Sequence, residues 1–545
     1  MRKLMFLMAC MLCAMMGHAQ QGPQATTRYG VLEGVCESGV NVFKGVPFAA
    51  PPVGENRWRA PQPLQAWQGM RSAKKFGDDP MQGNPFGDMG FDAEKKSEDC
   101  LYLNVWTPSK TMADRLPVVI YFNGGGLIAG SGSEPRYSGR QMARHGIVAV
   151  TANYREGIFG FFSHPQLSKE TSYKGSGNYG FMDQAAAIKW VYENIEAFGG
   201  DPKQITIVGE SAGSMSVSAL LVSPLTRGMI ARAMASSGAV CGRRLLSLKD
   251  AEKQGVEQLK KIGLKNIAEA RKMSADELLA KTQTGGLATY CLDGHFFTED
   301  PTDAYVNGHQ QKVPLLVGRN SMEMTPQAYL GAKEPTLANL RPVLEAAFGD
   351  KTDEAMKMYG LNTDRDVLGK PGVDFASDQF IAYGTWLFGY LHAKTSGQPV
   401  YRYCFTRPRP EMRDKGLVAG LAGGVQKKDE SADKKNEVMT IPENDVFKGA
   451  VHSADIEYAM ATLPTNRVYD WQPEDYRVSD QFINYYANFI KTGNPNGLGL
   501  ANWTSITGKE KPTQLILDVN SYETYDPAFE QRNLWLMQFK SFGSR

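Results

Sequence analysis

Gly209-Glu210-Ser211-Ala212-Gly213 sets a serine between two glycines, directly after the apolar run Ile205-Thr206-Ile207-Val208 and before a segment of helix length, Ala212 to Val222. Strand, G-x-S-x-G, then helix is the sequence form of a nucleophile elbow. The turn is so tight that the residues flanking the serine need almost no side chain, which Gly209 and Gly213 supply. The serine hydroxyl is lifted clear of the backbone. The helix behind it aims free N–H groups at the place where negative charge develops. The chemistry is attack of a hydroxyl on a carbonyl. A five-residue pattern of common residues arises by chance, so its weight depends on a base, an acid and oxyanion donors elsewhere in the chain.

Histidine is the usual base for a serine at neutral pH, and G-x-S-x-G hydrolases run in the order Ser, acid, His. His295, His309, His392 and His452 follow Ser211. His295 and His309 precede a plausible acid at a strand end. His392 sits in the aromatic helical run Trp386 to His392, where packing or surface exposure is the better account. His452 lies in Gly449-Ala450-Val451-His452-Ser453-Ala454-Asp455, a loop leading into a helix, and is the best base. An acid belongs at the end of a sheet strand. Val313 to Gly318 runs into Arg319-Asn320-Ser321-Met322-Glu323, so Glu323 is placed to orient the imidazole. Alone, a loop glutamate is more often a solvated charge. For the oxyanion, Asn123-Gly124-Gly125-Gly126-Leu127 follows an apolar strand, and its glycines let the backbone approach a substrate. The predicted donors are the amides of Gly125, Gly126 and Ala212.

These residues need a scaffold. Leu116 to Phe122, with Val118, Val119 and Ile120 in succession, reads as a strand buried on both faces. Leu101 to Trp106, Ile147 to Ala152, Met229 to Ser236, Val313 to Gly318 and Val400 to Phe405 read as further strands. Met182 to Phe198 has helical spacing, Ser247 to Gln283 is helical and charged, and residues 335–394 are mostly helical. Alternating strands and helices predict an α/β chain with a large, mostly parallel sheet flanked by helices. Thr26 to Lys44 reads as a small antiparallel hairpin, and Phe76 to Lys96 as a loop over the body. Residues 411–447 are rich in Lys, Asp, Glu and Gly; they read as a solvated, mobile insertion, with an active-site flap as the sharper alternative.

Of 545 residues, 60 are basic and 58 acidic, and a net charge of +2 gives no electrostatic reason for a nucleic-acid partner. Arg2 and Lys3, the apolar run Leu4 to Met16 and then Gly17-His18-Ala19 have the form of an export signal. Residues 1–19 are the predicted signal peptide, and residues 20–545 a single catalytic domain that is exported, periplasmic or secreted. A lipid anchor at Cys10 or Cys13 is the rival. The apolar run is too short to span a membrane, and no other stretch is long enough. Mature cysteines are Cys36, Cys100, Cys241, Cys291 and Cys404, an odd number, so at least one is a free thiol. No C-x-x-C or H-x-x-x-H spacing marks a metal site, and neither a metal nor a cofactor is expected.

Taken together, these pieces resemble the type-B carboxylesterase family of α/β-hydrolases, which includes cholinesterases and bacterial para-nitrobenzyl esterases. The resemblance runs from about Gly30 to the C-terminal helix. It rests on Phe43-Lys44-Gly45-Val46-Pro47-Phe48-Ala49, Glu98-Asp99-Cys100-Leu101-Tyr102-Leu103-Asn104-Val105-Trp106, Asn153-Tyr154-Arg155 and Gly177-Asn178-Tyr179-Gly180-Phe181-Met182-Asp183-Gln184. Phe198-Gly199-Gly200-Asp201-Pro202, the elbow, Leu292-Asp293-Gly294 and Gly493-Asn494-Pro495 continue it. It implies an α/β-hydrolase fold, with Ser211 as nucleophile, Glu323 as acid and His452 as base. Asn123 stands where the family has His, Leu127 where it has Phe, and Met324 where it has Gly after the acid. Met81 stands at the position of the cysteine that the family pairs with the equivalent of Cys100.

The function implied is hydrolysis of small-molecule carboxylic esters through an acyl-enzyme. Two alternatives are a catalytically silent adhesion or binding protein on this fold, and an esterase specialised for acylated polysaccharides. The first loses force because serine, acid and base are all present. No carbohydrate-binding module or aromatic repeat favours the second. The natural acyl and alcohol groups and the oligomeric state are not legible in the sequence.

Overall fold

The computed structural model describes residues 22–542, apart from residue 88 and residues 283–288 and 429–445. The proposed signal peptide, 1–19, therefore lies outside the described residues, as does the 429–445 part of the insertion.

Eleven strands form the main sheet. In chain order they are β1 Val35–Glu37, β2 Val40–Pro47, β3 Tyr102–Thr107, β4 Leu116–Phe122, β5 Val148–Ala152, β6 Gly200–Glu210, β7 Arg232–Ser236, β8 Leu315–Asn320, β9 Val400–Phe405, β10 Gln514–Leu517 and β11 Tyr522–Thr524. Across the sheet the order is β11-β10-β9-β8-β7-β6-β4-β5-β3-β2-β1. The seven strands from β5 to β10 run parallel. Antiparallel strands close both edges: β3, β2 and β1 on one side, β11 on the other. This is the α/β-hydrolase architecture expected from the sequence.

The strand β4 sits inside the sheet because its side chains suit burial on both faces. Ile120 pairs with Val150 of β5 on one side and Ile207 of β6 on the other. Val118, Ile120 and Phe122 pack into one core with the helices α1 (Tyr179–Asn194), α2 (Ala212–Val222) and α4 (Ala382–Thr395), the last following α3 (Lys370–Phe380). Val119 and Tyr121 enter the opposite core, with Phe482, Tyr485 and Phe489 of α5 (Pro473–Thr492). A sheet covered on both faces has parallel strands without solvated sides.

Differences from the sequence reading are local. The stretch expected as one hairpin makes two: Gln24–Thr27 pairs with Gly30–Glu33, and β1 pairs with β2. A second turn, at Ser38 and Gly39, both at positive φ, closes the β1–β2 pair, and the change from one sheet to the other falls at Gly34, between Gly30–Glu33 and Val35–Glu37. The helix expected from Met182 starts three residues earlier, at Tyr179. Its last turn, Ile195–Phe198, tightens to 3₁₀. In residues 411–428, Leu417–Ala419 pairs antiparallel with Val425–Lys427. All five cysteines among the described residues are free thiols, with Cys36 exposed and the rest buried. Cys100 and Met81 line one small void, so no partner stands opposite that thiol.

Candidate active site

Ser211 follows β6 and caps α2. Its backbone has φ 56° and ψ −122°, a strained geometry for a residue with a side chain. The elbow closes because both flanking residues are glycine. A Cβ on Gly213 would lie 2.1 Å from the Phe122 carbonyl oxygen, and one on Gly209 would lie 2.3 Å from the Gly213 carbonyl. The Ser211 amide donates to the Ser236 carbonyl at the end of β7 (2.9 Å), which pins the turn to the neighbouring strand.

Three side chains converge at this end of the sheet. His452 Nε2 lies 2.9 Å from Ser211 Oγ, and His452 Nδ1 lies 2.6 Å from a carboxylate oxygen of Glu323. Glu323 is held from the other side as well. The Asn320 amide and the Ser237 hydroxyl each donate to its second oxygen, both at 2.6 Å. The two loops are also tied to each other. The Met322 amide donates to the Ala450 carbonyl (2.9 Å), the Ala450 amide to Ser321 Oγ (2.9 Å), and Asn320 Nδ2 to the Val451 carbonyl (2.8 Å). The spacing between acid and base is thus fixed by backbone as well as by side chains. Phe380, the last residue of α3, meets the imidazole edge-on at 5.1 Å.

The other histidines after Ser211 are elsewhere. His295 stacks on Tyr173 at 4.0 Å. His309 is exposed and pairs with Glu299 at 2.8 Å. His392 is buried and bonds the Val313 carbonyl at 2.8 Å, and burial pushes its pKa down to about 4.

The glycine loop leaves β4 and passes beside the serine. A Cβ on Gly124 would come within 3.1 Å of Ser211 Cβ, so glycine is required for that approach. Among the described residues, no hydrogen bond occupies the Gly125 or Gly126 amide, and Ala212 is the first residue of α2, whose amide has no intrahelical partner. The N–H groups without a partner thus belong to the residue after the serine and to the loop whose Gly124 packs against it. Leu127 is buried and takes φ 62°; its carbonyl receives the Gly157 amide at 2.7 Å. Asn123 turns away from the serine: its amide donates to the Gly124 carbonyl at 2.9 Å and to Glu156 at 3.1 Å. Met324 exchanges backbone bonds with the Ser377 hydroxyl of α3, at 3.3 and 3.4 Å.

Sequence reasoning missed a ring of buried acids. Glu210, within the elbow, lies 3.4 Å from His452 Nε2. Asp455 takes hydrogen bonds from Ser236, Asn320 (3.1 Å) and Tyr403 (3.2 Å). Burial pushes the Glu210 carboxyl up to about 8, even against the pull of His452. Burial opposes the His452 imidazolium, but Glu210, Glu323 and Asp455 outweigh that penalty and lift the imidazole to about 9. Glu210 stands inside the elbow motif and Asp455 three residues beyond the base, but no pattern in the sequence marks either as buried.

The described part of the insertion reaches this region. Ser453 donates to the Leu421 carbonyl (3.0 Å) and Arg136 to the Ala422 carbonyl (2.7 Å), which sets the hairpin tip beside the His452 loop. Among the described residues no cluster of His, Cys, Asp or Glu is arranged to hold a metal ion, and no helix is long and apolar enough to cross a membrane.

With this geometry in hand, comparison with known proteins is specific. The model of the carboxylesterase family matches residues 21–533. The fumonisin B1 esterase of Sphingopyxis macrogoltabida is 40% identical over 390 residues, covering 70% of each chain. The para-nitrobenzyl esterase of Bacillus subtilis is 31% identical over 472 residues, 82% of this chain and 91% of that one. Among solved structures, a Geobacillus stearothermophilus carboxylesterase matches with a TM-score of 0.77 at 30% identity, covering 94% of this chain and 99% of that chain.

Proposed function

Since this chain belongs to the carboxylesterase family and is a serine carboxylesterase of type B, we propose that it is an exported hydrolase of small-molecule carboxylic esters working through Ser211, His452 and Glu323. His452 takes the proton as Ser211 Oγ attacks the ester carbonyl. The amides of Gly125, Gly126 and Ala212 receive the oxyanion of the tetrahedral intermediate. His452 then protonates the leaving alcohol, and water repeats the sequence on the acyl-enzyme. Glu323 holds the imidazole in the tautomer that presents Nε2 to the serine and stabilises the imidazolium. The observation that carries this reading is the unbroken run of contacts from Ser211 Oγ through His452 to Glu323, at 2.9 and 2.6 Å.

Assay of Ser211→Ala on 4-nitrophenyl esters tests it, with an expected loss of about 10⁴-fold or more in kcat. Turnover equal to the unaltered protein would refute the assignment. It would leave the silent binding protein as the better account. A panel from acetate to long acyl chains, extended to aryl esters such as ferulates and to fumonisin B1, identifies the acyl and alcohol groups. Fumonisin B1 earns its place from the name of the relative at 40% identity. Export rests on the form of residues 1–19.

A further inference from the structure

A cleft of about 710 Å³ opens between α4 and the C-terminal helix, α6 (Pro527–Phe542). Its volume is that of a small-molecule site, for which about 300–1,000 Å³ is usual. The acyl-transfer mechanism uses none of the residues that line it. The charged groups in its wall are mainly cationic: Arg243, Arg244 and Lys540 face a single acid, Asp303. Arg244 is matched, by Asp303 and by Asp300 at 3.5 Å. Arg243 is not. It is exposed to the cleft, and among the described residues no carboxylate pairs with it. Its Nη2 donates to the Gln379 carbonyl at 3.0 Å, which fixes the guanidinium, while Nε and Nη1 have no protein acceptor among the described residues. An arginine so held presents a fork that suits a carboxylate.

Lys540 stands near it. Its ammonium lies 4.4 Å from the centroid of the Tyr383 ring, in the first turn of α4. A Cβ on Gly242, the residue before Arg243, would lie 2.9 Å from the same ring. Burial, and then the charge of Arg243, push Lys540 down to about 8, with Asp378 pulling the other way, so it stays protonated at neutral pH. An anion placed beside two such like charges relieves their repulsion. Both cations are at the Tyr383 end of the cleft, from which Leu387 and Leu391 continue along α4. That end adjoins the reaction site by two routes. Gln379, which holds Arg243, precedes Phe380, whose ring meets the His452 imidazole. The segment leading to Arg243 starts against the nucleophile: a Cβ on Gly238 would lie 2.3 Å from the Ser211 carbonyl oxygen. One carbonyl and one aromatic side chain therefore separate the guanidinium from the imidazole.

We propose that Arg243, with Lys540 beside it, is an anion subsite of the substrate site, and that the ester favoured carries a free carboxylate several bonds from the carbonyl attacked by Ser211. The inference rests on the ester-hydrolase reading. It concerns which ester is taken, not how it is cleaved.

The test uses 4-nitrophenyl monoesters of adipic, suberic and sebacic acids. Each is compared with the same ester whose free carboxylate is converted to a primary amide, which keeps the shape and removes the charge. A second series, read by pH-stat, carries the same pair of groups on the alcohol of an acetate ester. The unaltered protein prefers the carboxylate in at least one series. Arg243→Met lowers that carboxylate-to-amide ratio of kcat/KM about tenfold, mainly through KM, and adding Lys540→Met lowers it further. Arg243→Lys, which keeps the charge, retains part of the preference. Added sodium chloride reduces the ratio of the unaltered protein and has little effect on that of the double variant. No carboxylate preference in either series, or a preference that the double variant leaves in place, would overturn the proposal, whatever happens to the absolute rates. Dissociation constants for the same pairs on the Ser211→Ala background need no turnover, so a failed hydrolase reading and a failed subsite read separately.

Discussion

Glu210→Gln replaces the buried carboxyl beside His452 with a neutral group of the same shape. At 3.4 Å, two unit charges in an effective dielectric of about 20 attract by about 5 kcal/mol. Burial of the imidazolium takes part of that back. The net lift of His452 from 6.5 to about 9 corresponds to about 3 kcal/mol shared among Glu210, Glu323 and Asp455. Glu210 supplies the largest single Coulombic contribution, so its removal lowers the imidazole pKa by about one to two pH units. The sign follows from the role of the base. His452 accepts a proton from Ser211 only when neutral, so activity rises as pH passes its pKa. A lower pKa moves the acid limb of kcat/KM to lower pH. In the unaltered protein that limb belongs to the coupled Glu210–His452 pair, because Glu210 itself titrates at about 8. In the variant it belongs to His452 alone. The assay is kcat/KM for 4-nitrophenyl acetate from pH 5 to 10, read at the isosbestic wavelength of nitrophenol, since kcat/KM reports the free enzyme. An acid limb that stays in place, or moves to higher pH, would refute the electrostatic argument.

Two further outcomes concern the acid and the N-terminus. Glu323→Gln keeps the size of the side chain but presents an amide to Nδ1, favouring the wrong tautomer; kcat falls by about 10³- to 10⁴-fold while KM changes little, and a loss below tenfold would remove Glu323 from its role. Export with cleavage after Ala19 gives a mature protein that starts at Gln20, so the intact mass of the periplasmic or secreted protein should match residues 20–545; a mass that retains Met1 would contradict export by this signal.

What the sequence made legible divides along a physical line. Leu116–Phe122, Ala212–Val222 and Val400–Phe405 have the same limits in the structure as in the sequence reading, because strands covered on both faces are largely apolar and the elbow helix starts at the residue after its serine. That Ser211, Glu323 and His452 would converge was legible for a related reason. Each stands at a strand end or on a loop that the parallel sheet brings to one edge, so chain order and type suffice to propose them. Glu210, Asp455 and Glu156 were not legible, and the cause is shared. A carboxylate is read from sequence as solvated, which is correct for most. Its burial depends on neighbours far along the chain: Tyr403 and Asn320 for Asp455, Asn123 for Glu156, and His452 for Glu210. Asn123 connects the two categories. In the sequence it was a departure from the family pattern at the glycine loop, with no consequence attached. In the structure its amide turns back onto Glu156, so the change at position 123 is half of a pair.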